Sequence, residues 1–456
     1  MAVDRTAPPP LGADPTLEFP AIHRDQLANG LRLWAVAHHA VPATTAILLL
    51  PAGAASDPPD RPGLAALTGD LADEGAGERS ALELHDALAR LGARLDTDVG
   101  ADATTLALTV LSRHLDAALD LAADVACRPA FDEAEFERVR ERRLHRLIQL
   151  RDQPAAVADR AFLDLLYPDH PYGHLAIGTE ESLRALALDE VRALHDRAYA
   201  LSGATLILVG DGDPKDLLAA GARAFAGRPR AGMAAVGPPA APSPPGPPRA
   251  RFALVHRPRA AQSELRLGCV TTSRHTPEYH ALLVLNMVVG GQFVSRVNLN
   301  LRERKGYTYG ARSTFDLRRG PGPFLLQASV QTDATAEAIR EALGELDDLR
   351  GARPVEDAEL EAARAALTRG YPRSFETAGQ IARACAQLAL YQLPDEYFME
   401  FVPRVRAVDR AAVTAVARKY FVPEALVTLV VGDRERVLPV AERAGLGEVA
   451  ELTPTA

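Results

Sequence analysis

Two kinds of hydrophobic pattern alternate along the chain. In the first kind, apolar residues occupy every second position or form a short unbroken run, which is typical of strands buried on one or both faces. The strands predicted in this way in the first half are residues 27–36, 44–50, 104–111 and 206–211. The first two follow each other closely, so they are interpreted as an opening hairpin.

In the second kind of pattern, apolar residues recur every three or four positions, which predicts helices that bury one face. Ser80 and Glu83 have the spacing of a capping box, so a helix is predicted to begin after Ser80 and to run to Leu91. The other helices predicted in the first half begin near Leu64 and cover residues 114–126 and 132–151.

The second half of the chain repeats features of the first half at a nearly constant distance. Gly210-Asp211 follows an apolar strand, and Gly432-Asp433 follows another one 222 positions later. Arg128-Pro129 and Arg353-Pro354, at an offset of 225, each precede a helix that opens with acidic residues. Self-similarity over this length indicates a tandem duplication of a domain of a little over 200 residues.

Each copy is predicted to run strand, strand, helix, helix, strand, helices, strand. That order predicts the α+β class, as two tandem homologous domains, each a mostly antiparallel sheet covered by helices on one face. The predicted divisions are an N-terminal tail at 1–19, a first domain at 20–226, a Pro-rich linker at 227–250, a second domain at 251–445 and a tail at 446–456. Within the linker, the prolines favour a semi-rigid polyproline II spacer.

Composition narrows the class of protein without naming a function. The 456 residues are 47% hydrophobic and 24% charged, which is ordinary for a globular protein, and the length favours more than one domain. A net charge of -9 argues against a nucleic acid as the main partner. The most apolar run, residues 46–50, is too short to span a bilayer, so no membrane association is expected.

Cysteine usage and the N-terminus bear on the compartment. Cys127, Cys269 and Cys385 lie far apart without any Cys-x-x-Cys spacing, so they are predicted to be buried free thiols. Residues 1–20 contain no positively charged start followed by an apolar core, so no signal peptide is expected. Both features favour a cytoplasmic protein.

Candidate chemistry is concentrated in residues 301–310, which read LRERKGYTYG. Helical patterns precede it over residues 277–289 and 294–305, with Gly290-Gly291 predicted as a left-handed cap of the first helix. Arg302 and Tyr309 both carry hydrogen-bond donors, which can stabilise an oxyanion that forms only in a transition state. The spacing alone also fits a second interpretation, a solvated arginine and a half-buried strand tyrosine.

With these residues the chain resembles the pitrilysin/insulinase family of zinc metalloendopeptidases, the inverted zincins. The C-terminal half of that family carries a helix ending Leu-Arg-Glu-x-x-Gly-x-x-Tyr, and Arg302 and Tyr309 match its Arg and Tyr. The resemblance implies that these two residues are catalytic and donate hydrogen bonds to the scissile carbonyl. It also implies that zinc on the opposite half delivers the attacking water.

The zinc motif of that family, His-x-x-Glu-His after Gly-Leu-Ala, is degenerate here. The positions of the first His, the Glu, the second His and a later ligand fall on Ala66, Gly69, Asp70 and Arg146. If the register is shifted by one residue, the position of the later ligand falls on His145 instead of Arg146. One carboxylate facing an arginine cannot hold zinc, and a glycine cannot act as a base, so no metal or other cofactor is expected in this chain.

Two functions are consistent with this pattern. The resemblance favours the zinc-lacking subunit of a heterodimeric bacterial peptidase, which pairs with a homologous zinc-bearing chain, helps to enclose an extended peptide by β-augmentation and supplies Arg302 and Tyr309. The chain would then be inactive alone, with zinc on the partner subunit. The alternative is a catalytically inactive structural or peptide-binding relative, similar to the core subunits of the cytochrome bc1 complex. Retention of both donors favours the first.

Overall fold

One six-stranded sheet in each half of the chain forms the framework of the protein. The structure, a computed structural model, describes residues 17–228, 241–443 and 448–453. The strands of the first sheet are β1 (His23–Gln26), β2 (Arg32–Ala37), β3 (Ala43–Leu50), β4 (Arg94–Val99), β5 (Thr104–Leu111) and β6 (Thr205–Gly210). Their spatial order is β1-β2-β6-β3-β5-β4.

The second sheet repeats this arrangement. Its strands are β7 (Phe252–His256), β8 (Gln262–Val270), β9 (Thr308–Phe315), β10 (Pro323–Gln331), β11 (Val427–Gly432) and β12 (Ala450–Leu452). The order β12-β7-β11-β8-β10-β9 matches the first sheet strand for strand, apart from one edge. At that edge β1 is antiparallel to β2, whereas β12 is parallel to β7. The predicted α+β class with two tandem, mostly antiparallel sheets is confirmed.

The predicted opening hairpin is wrong. β6 lies between β2 and β3, parallel to the first and antiparallel to the second. Every residue of β6 is buried, so this apolar strand is stabilised most at the centre of the sheet. The turn at Asn29-Gly30 instead joins β1 to β2, with Gly30 at a φ of 93° and the Asn29 side chain accepting a hydrogen bond from the backbone N–H of Leu31.

The first half of the chain, over its described residues, contains eight helices, and several of them cover one face of the first sheet. The helices are α1 (Leu64–Ala72), α2 (Ala81–Leu91), α3 (Leu115–Cys127), α4 (Glu133–Arg151), α5 (Pro154–Leu166), α6 (Glu180–Ala185), α7 (Leu188–Ala198) and α8 (Pro214–Phe225). The capping box predicted for α2 is present: the backbone N–H of Glu83 donates to Ser80 Oγ, and that of Ser80 donates to Glu83 Oε2. Leu119 of α3 and Leu217 of α8 are in the same apolar core as β5 and β6.

The second half has a corresponding set of helices, several of which cover one face of the second sheet. Its helices are α9 (Tyr279–Val289), α10 (Arg296–Asn298), α11 (Thr335–Asp347), α12 (Asp357–Thr368), α13 (Ala378–Tyr391), α14 (Tyr397–Ala407), α15 (Arg410–Tyr420) and α16 (Arg434–Arg443). Two π-helical segments, Leu299–Arg304 and Asp348–Ala352, extend α10 and α11.

The opposite face of each sheet is covered by a helix from the other half. Ile381 and Cys385 of α13 pack in a core with Val36 and Ile207 of the first sheet. In the same way, Phe162 of α5 packs with β7 and β11 of the second sheet. The two halves are therefore interlocked, and each sheet is buried on both faces over part of its area.

The predicted domain boundaries remain a prediction. The central part of the Pro-rich linker, residues 229–240, and the ends at 1–16 and 454–456 lie outside the described residues, as do 444–447. Residues 241–248 contain neither helix nor strand, and the carbonyl of Ser243 lies 2.8 Å from Nε2 of His170.

The three cysteines are free thiols, as predicted, although Cys127 is only half-buried. Burial raises the pKa of Cys127 to about 11 and the pKa values of Cys269 and Cys385 to about 12. Over the described ranges, no helix combines the length and the apolar character needed to cross a membrane.

Candidate functional site

Arg302 lies in the π-helical segment that links α10 to β9. Gly306, with a φ of 66°, ends this segment where the sequence predicted a helix to end. The prediction of a left-handed cap at the end of α9 is wrong, because Gly290 has a φ of -160°. A glycine is needed there for close packing, since a Cβ on Gly290 would lie 2.7 Å from the backbone nitrogen of Ser313.

Polar contacts hold this segment against α11 and α12. Arg296, almost fully buried, donates from Nε to Glu359 Oε1 at 2.6 Å. The Asn300 amide donates to Glu345 Oε1 at 2.7 Å, and Lys305 Nζ donates to Glu341 at 2.8 Å. Side chains that are fixed in this way limit the freedom of the backbone that carries Arg302.

The Arg302 side chain is one-third exposed and contacts an aromatic ring. Its Cζ lies 4.2 Å from the ring centroid of Phe293, a cation–π arrangement worth about 0.5–1 kcal/mol at an exposed site. Its ion pair with Glu303 is long, at 3.5 Å. Phe293, which is 62% exposed, was missed by the sequence reasoning; the available signal was an aromatic residue two positions after Gly291.

Tyr309 lies on a β-bulge at the free edge of the second sheet. Thr308 faces Val330 and Ala311 faces Ala328, so Tyr309 and Gly310 together oppose a single residue of β10. The Thr308 hydroxyl supports this geometry by accepting from the Gly310 N–H at 3.1 Å. Tyr309 is 92% exposed, unlike the half-buried tyrosine of the second interpretation. Bulges redirect side chains and are common beside active sites.

Three positions of the motif interpreted from the sequence as a degenerate zinc site, Ala66, Gly69 and Asp70, lie on α1 of the first half. The carboxylate of Asp57 caps this helix by accepting from the N–H groups of Gly63 and Ala65, each at 2.7 Å. Ala66 is buried. A Cβ on Gly69 would lie 3.0 Å from Cγ2 of Val99, so β4 packs closely against this position of α1.

The structure brings Arg143 to Asp70, whereas Arg146 and His145 are exposed on α4. Arg143 Nη1 lies 2.7 Å from Asp70 Oδ2, and Nη2 donates to the carbonyl of Ala176 at 2.8 Å. Arg146 instead contacts Gln149 at 3.3 Å. Arg143 is a further residue that the sequence reasoning did not identify.

The residues around Asp70 do not fit a zinc ion. The guanidinium of Arg143 already neutralises the carboxylate of Asp70, and neither Ala66 nor Gly69 offers a ligand atom. Within the described ranges, no group of three or more His, Cys, Asp or Glu side chains is placed to hold a metal. Burial, aided by the charge of Glu74, raises the pKa of Asp73, the C-cap residue of α1, to about 6.

Family comparisons agree with this architecture. The model described as Insulinase (Peptidase family M16) matches residues 34–180, and the model described as Peptidase M16 inactive domain matches residues 185–367. Together they cover well over half of the chain. The chain belongs to peptidase family M16.

Individual relatives of this M16 protein are distant. An uncharacterized zinc protease of Mycobacterium tuberculosis is 28% identical over 275 residues, which are 58% of this chain and 59% of that protein. A peptidase M16 inactive domain from Pseudomonas fluorescens superposes with a TM-score of 0.84 at 24% identity, covering 90% of this chain and 98% of that chain. A protease from Helicobacter pylori gives 0.82 at 18% identity, covering 90% and 99%. These two structures establish the fold.

Proposed function

We propose that this M16 protein is the metal-lacking subunit of a zinc metalloendopeptidase. The observation that carries the proposal is the presentation of two donors toward solvent, Arg302 beside an exposed phenylalanine and Tyr309 on an edge-strand bulge. A purely structural role gives no reason for a tyrosine that is 92% exposed at this point. The degenerate α1 motif supports a division of labour between two chains.

In this proposal Arg302 and Tyr309 stabilise the oxyanion that forms on a scissile carbonyl. Both groups donate hydrogen bonds, and both lack a short, strong acceptor in the contacts described above. Their hydrogen bonds would strengthen as negative charge develops on the carbonyl oxygen, so they would act mainly on kcat. Removal of one such donor typically costs about 3 kcal/mol, or roughly a hundredfold in rate.

The hydrolytic water would come from a homologous zinc-bearing subunit. A zinc ion there would supply a nucleophile at neutral pH by lowering the pKa of its bound water. This chain would contribute no ligand, because Arg143 occupies the side of α1 that Asp70 faces. Its own tasks would be to position the peptide and to polarise the carbonyl.

An extended peptide could be held by addition to a free sheet edge. β4 and β9 lie at the ends of their sheets, so one side of each backbone is unpaired within the described residues. β9 begins at Thr308, directly before Tyr309. A peptide strand that pairs with this edge would therefore pass the proposed donors.

Reconstitution tests this function. The full chain, a homologous zinc-bearing chain from the same organism and their mixture are each assayed with a fluorogenic peptide library, and assembly is followed by size-exclusion chromatography. We expect co-elution and turnover in the mixture alone. Hydrolysis by this chain alone, or a partner whose rate is unchanged by its addition, would refute the proposal. Assembly without any gain in turnover would favour the alternative, an inactive structural or peptide-binding relative.

A further inference from the structure

A cavity of about 380 Å³ lies between the two halves of the chain. Its walls come from the end of α4, the start of α5, and strands β7 and β11, and none of its lining residues belongs to the segment around Arg302 and Tyr309. Much of the lining is apolar, including Leu147, Leu150, Val157, Ala161, Val255 and Val431. The volume falls within the range of small-molecule sites, which often form between domains.

Cationic side chains are concentrated in the same lining. Arg151, Arg160 and Arg257 all contribute to it, and of these Arg151 also forms an ion pair with Glu180. Arg257 donates to two neutral acceptors, the carbonyls of Arg151 at 3.4 Å and Asp152 at 2.9 Å. The pKa of Arg160 is lowered, first by burial and then by the neighbouring charge of Arg151. Burial disfavours any uncompensated charge, whereas the neighbouring positive charge of Arg151 would attract an anion.

The start of α5 adds to the positive potential. α5 begins at Pro154, and the Gln153 side chain makes no hydrogen bond to its first turn. Ala156, in that first turn, lines the cavity. The positive end of the helix dipole therefore lies beside the arginines, an arrangement that favours a bound carboxylate.

We propose that this cavity binds a small amphipathic anion, an aliphatic chain that carries one carboxylate, such as a medium-chain fatty acid. The aliphatic chain packs on Val157, Ala161 and Val431, and the carboxylate contacts Arg257 and the first turn of α5. Because α5 belongs to the first half and Val431 to the second, the ligand contacts both halves. The inference is independent of the proposed peptidase function.

Calorimetric titration of the full chain at pH 8 tests this site, with octanoate and octan-1-ol as probes. We expect one octanoate per chain and at least tenfold weaker binding of the alcohol, which lacks the charge. Arg257→Gln should weaken octanoate about tenfold and leave octanol unchanged, because it removes a charge-assisted hydrogen bond. Ala161→Phe should abolish binding of both by filling the cavity. Arg369→Gln, on an exposed helix end, is the matched control and should bind as the wild type does.

Absence of saturable octanoate binding would overturn the proposal. Equal affinity for octanoate and octanol, or an unchanged octanoate affinity in Arg257→Gln, would also overturn it, since the anion would then not be recognised at this cavity. Melting temperatures establish that each variant is folded. If Ala161→Phe does not fold, the selectivity for octanoate over octanol in the wild type and its loss in Arg257→Gln decide the question.

Discussion

Arg143 forms the ion pair with Asp70 of α1, although its position could not be read from the sequence. Counting along the chain pointed to Arg146, which is exposed. Three residues along a helix correspond to about 300°, so Arg146 points about 60° away from Arg143. A count of residues does not fix the rotation of one helix against another, whereas packing of the neighbouring Leu144 and Leu147 does.

The ion pair between Asp70 and Arg143 should stabilise the fold. Asp70→Asn leaves a buried guanidinium beside a neutral group; because Asp70 is 37% exposed, we expect a loss of about 1–3 kcal/mol rather than the full cost of a buried pair. The double variant Asp70→Asn/Arg143→Met should recover much of the lost stability, because it no longer contains an unpaired buried guanidinium. Urea denaturation measures both variants, with Asp189→Asn as an exposed control. A double variant no more stable than Asp70→Asn would contradict this.

Asp73 gives a pH-dependent prediction. Its pKa is about 6 in the folded protein, against an ordinary value of 3.8, so between these values only the folded state holds the proton. Its contribution to the free energy of unfolding therefore falls as pH rises through this window and stays low above it. Asp73→Asn should stabilise the protein by ~2 kcal/mol at pH 8 and have little effect at pH 4.

Calorimetric melting at both pH values checks this prediction for Asp73. Asp120→Asn, at an exposed position of α3, is the control and should change stability little at either pH. An equal gain at pH 4 and pH 8 would show that ionisation of Asp73 is not the cause.

Arg302 and Tyr309 themselves could be selected from the sequence, but their surroundings could not. The pair was recognisable because a helix pattern, a glycine and a strand pattern follow each other within residues 294–315. The stacking of Arg302 on Phe293 depends on how the loop after α9 folds back, which no local pattern encodes. The bulge at Tyr309-Gly310 was missed for a similar reason, because it appears only in the register between β9 and β10.

At the scale of elements, the segment from α10 to β9 departs from regular geometry at three successive points. It contains a π-helix, a left-handed glycine at 306 and a bulge at 309–310. Irregularities of this kind are frequent at functional sites, where they orient side chains. Regular packing partners on both sides, α11 and β10, hold the segment in this form.

Gly306 should be the most sensitive backbone position of this segment. Its φ is 66°, and a Cβ would meet no atom within 4 Å, so substitution costs only backbone strain. Gly306→Ala should lower the free energy of unfolding by ~1 kcal/mol, and Gly306→Asn by less, because asparagine tolerates the left-handed region. Denaturant titration of both variants tests this ranking. If Gly306→Ala had the same free energy of unfolding as the wild type, residue 306 would not have a left-handed backbone conformation.

Strand pairing shows where local patterns stop being sufficient. β2, β3 and β6 were each predicted as strands, and each is one. Their order in the sheet was not predicted, because β6 pairs with β3 although more than 150 residues separate the two strands. The alternation of apolar and polar residues along a strand indicates which face is buried, but it does not determine which strands lie next to it.

At the scale of the whole molecule, the two halves exchange helices. α5 of the first half covers the second sheet, and α13 of the second half covers the first. The sequence repeat predicted two similar domains correctly. It could not predict this exchange, because a duplicated pattern looks the same whether each helix covers its own sheet or the other one.

Interlocked halves should not be stable separately. Expressed alone, residues 1–226 would expose Val36 and Ile207, which α13 covers in the intact chain. We expect each half to aggregate or to melt without a cooperative transition, and coexpressed halves to associate as one particle. Sedimentation velocity and calorimetry measure this. Two independently folded, monomeric halves would contradict the interlocked arrangement.

The most direct test of the proposed role is the kcat of the reconstituted peptidase with Arg302→Ala or Tyr309→Phe. Arg304→Ala, two residues from Arg302 and exposed, is the matched control. Assembly with the zinc-bearing partner is measured for every variant by size-exclusion chromatography. We predict normal assembly throughout, about a hundredfold lower kcat for each donor variant, little change in KM and a wild-type rate for the control. Donor variants that assemble and cleave at the wild-type rate would contradict a catalytic role for Arg302 and Tyr309.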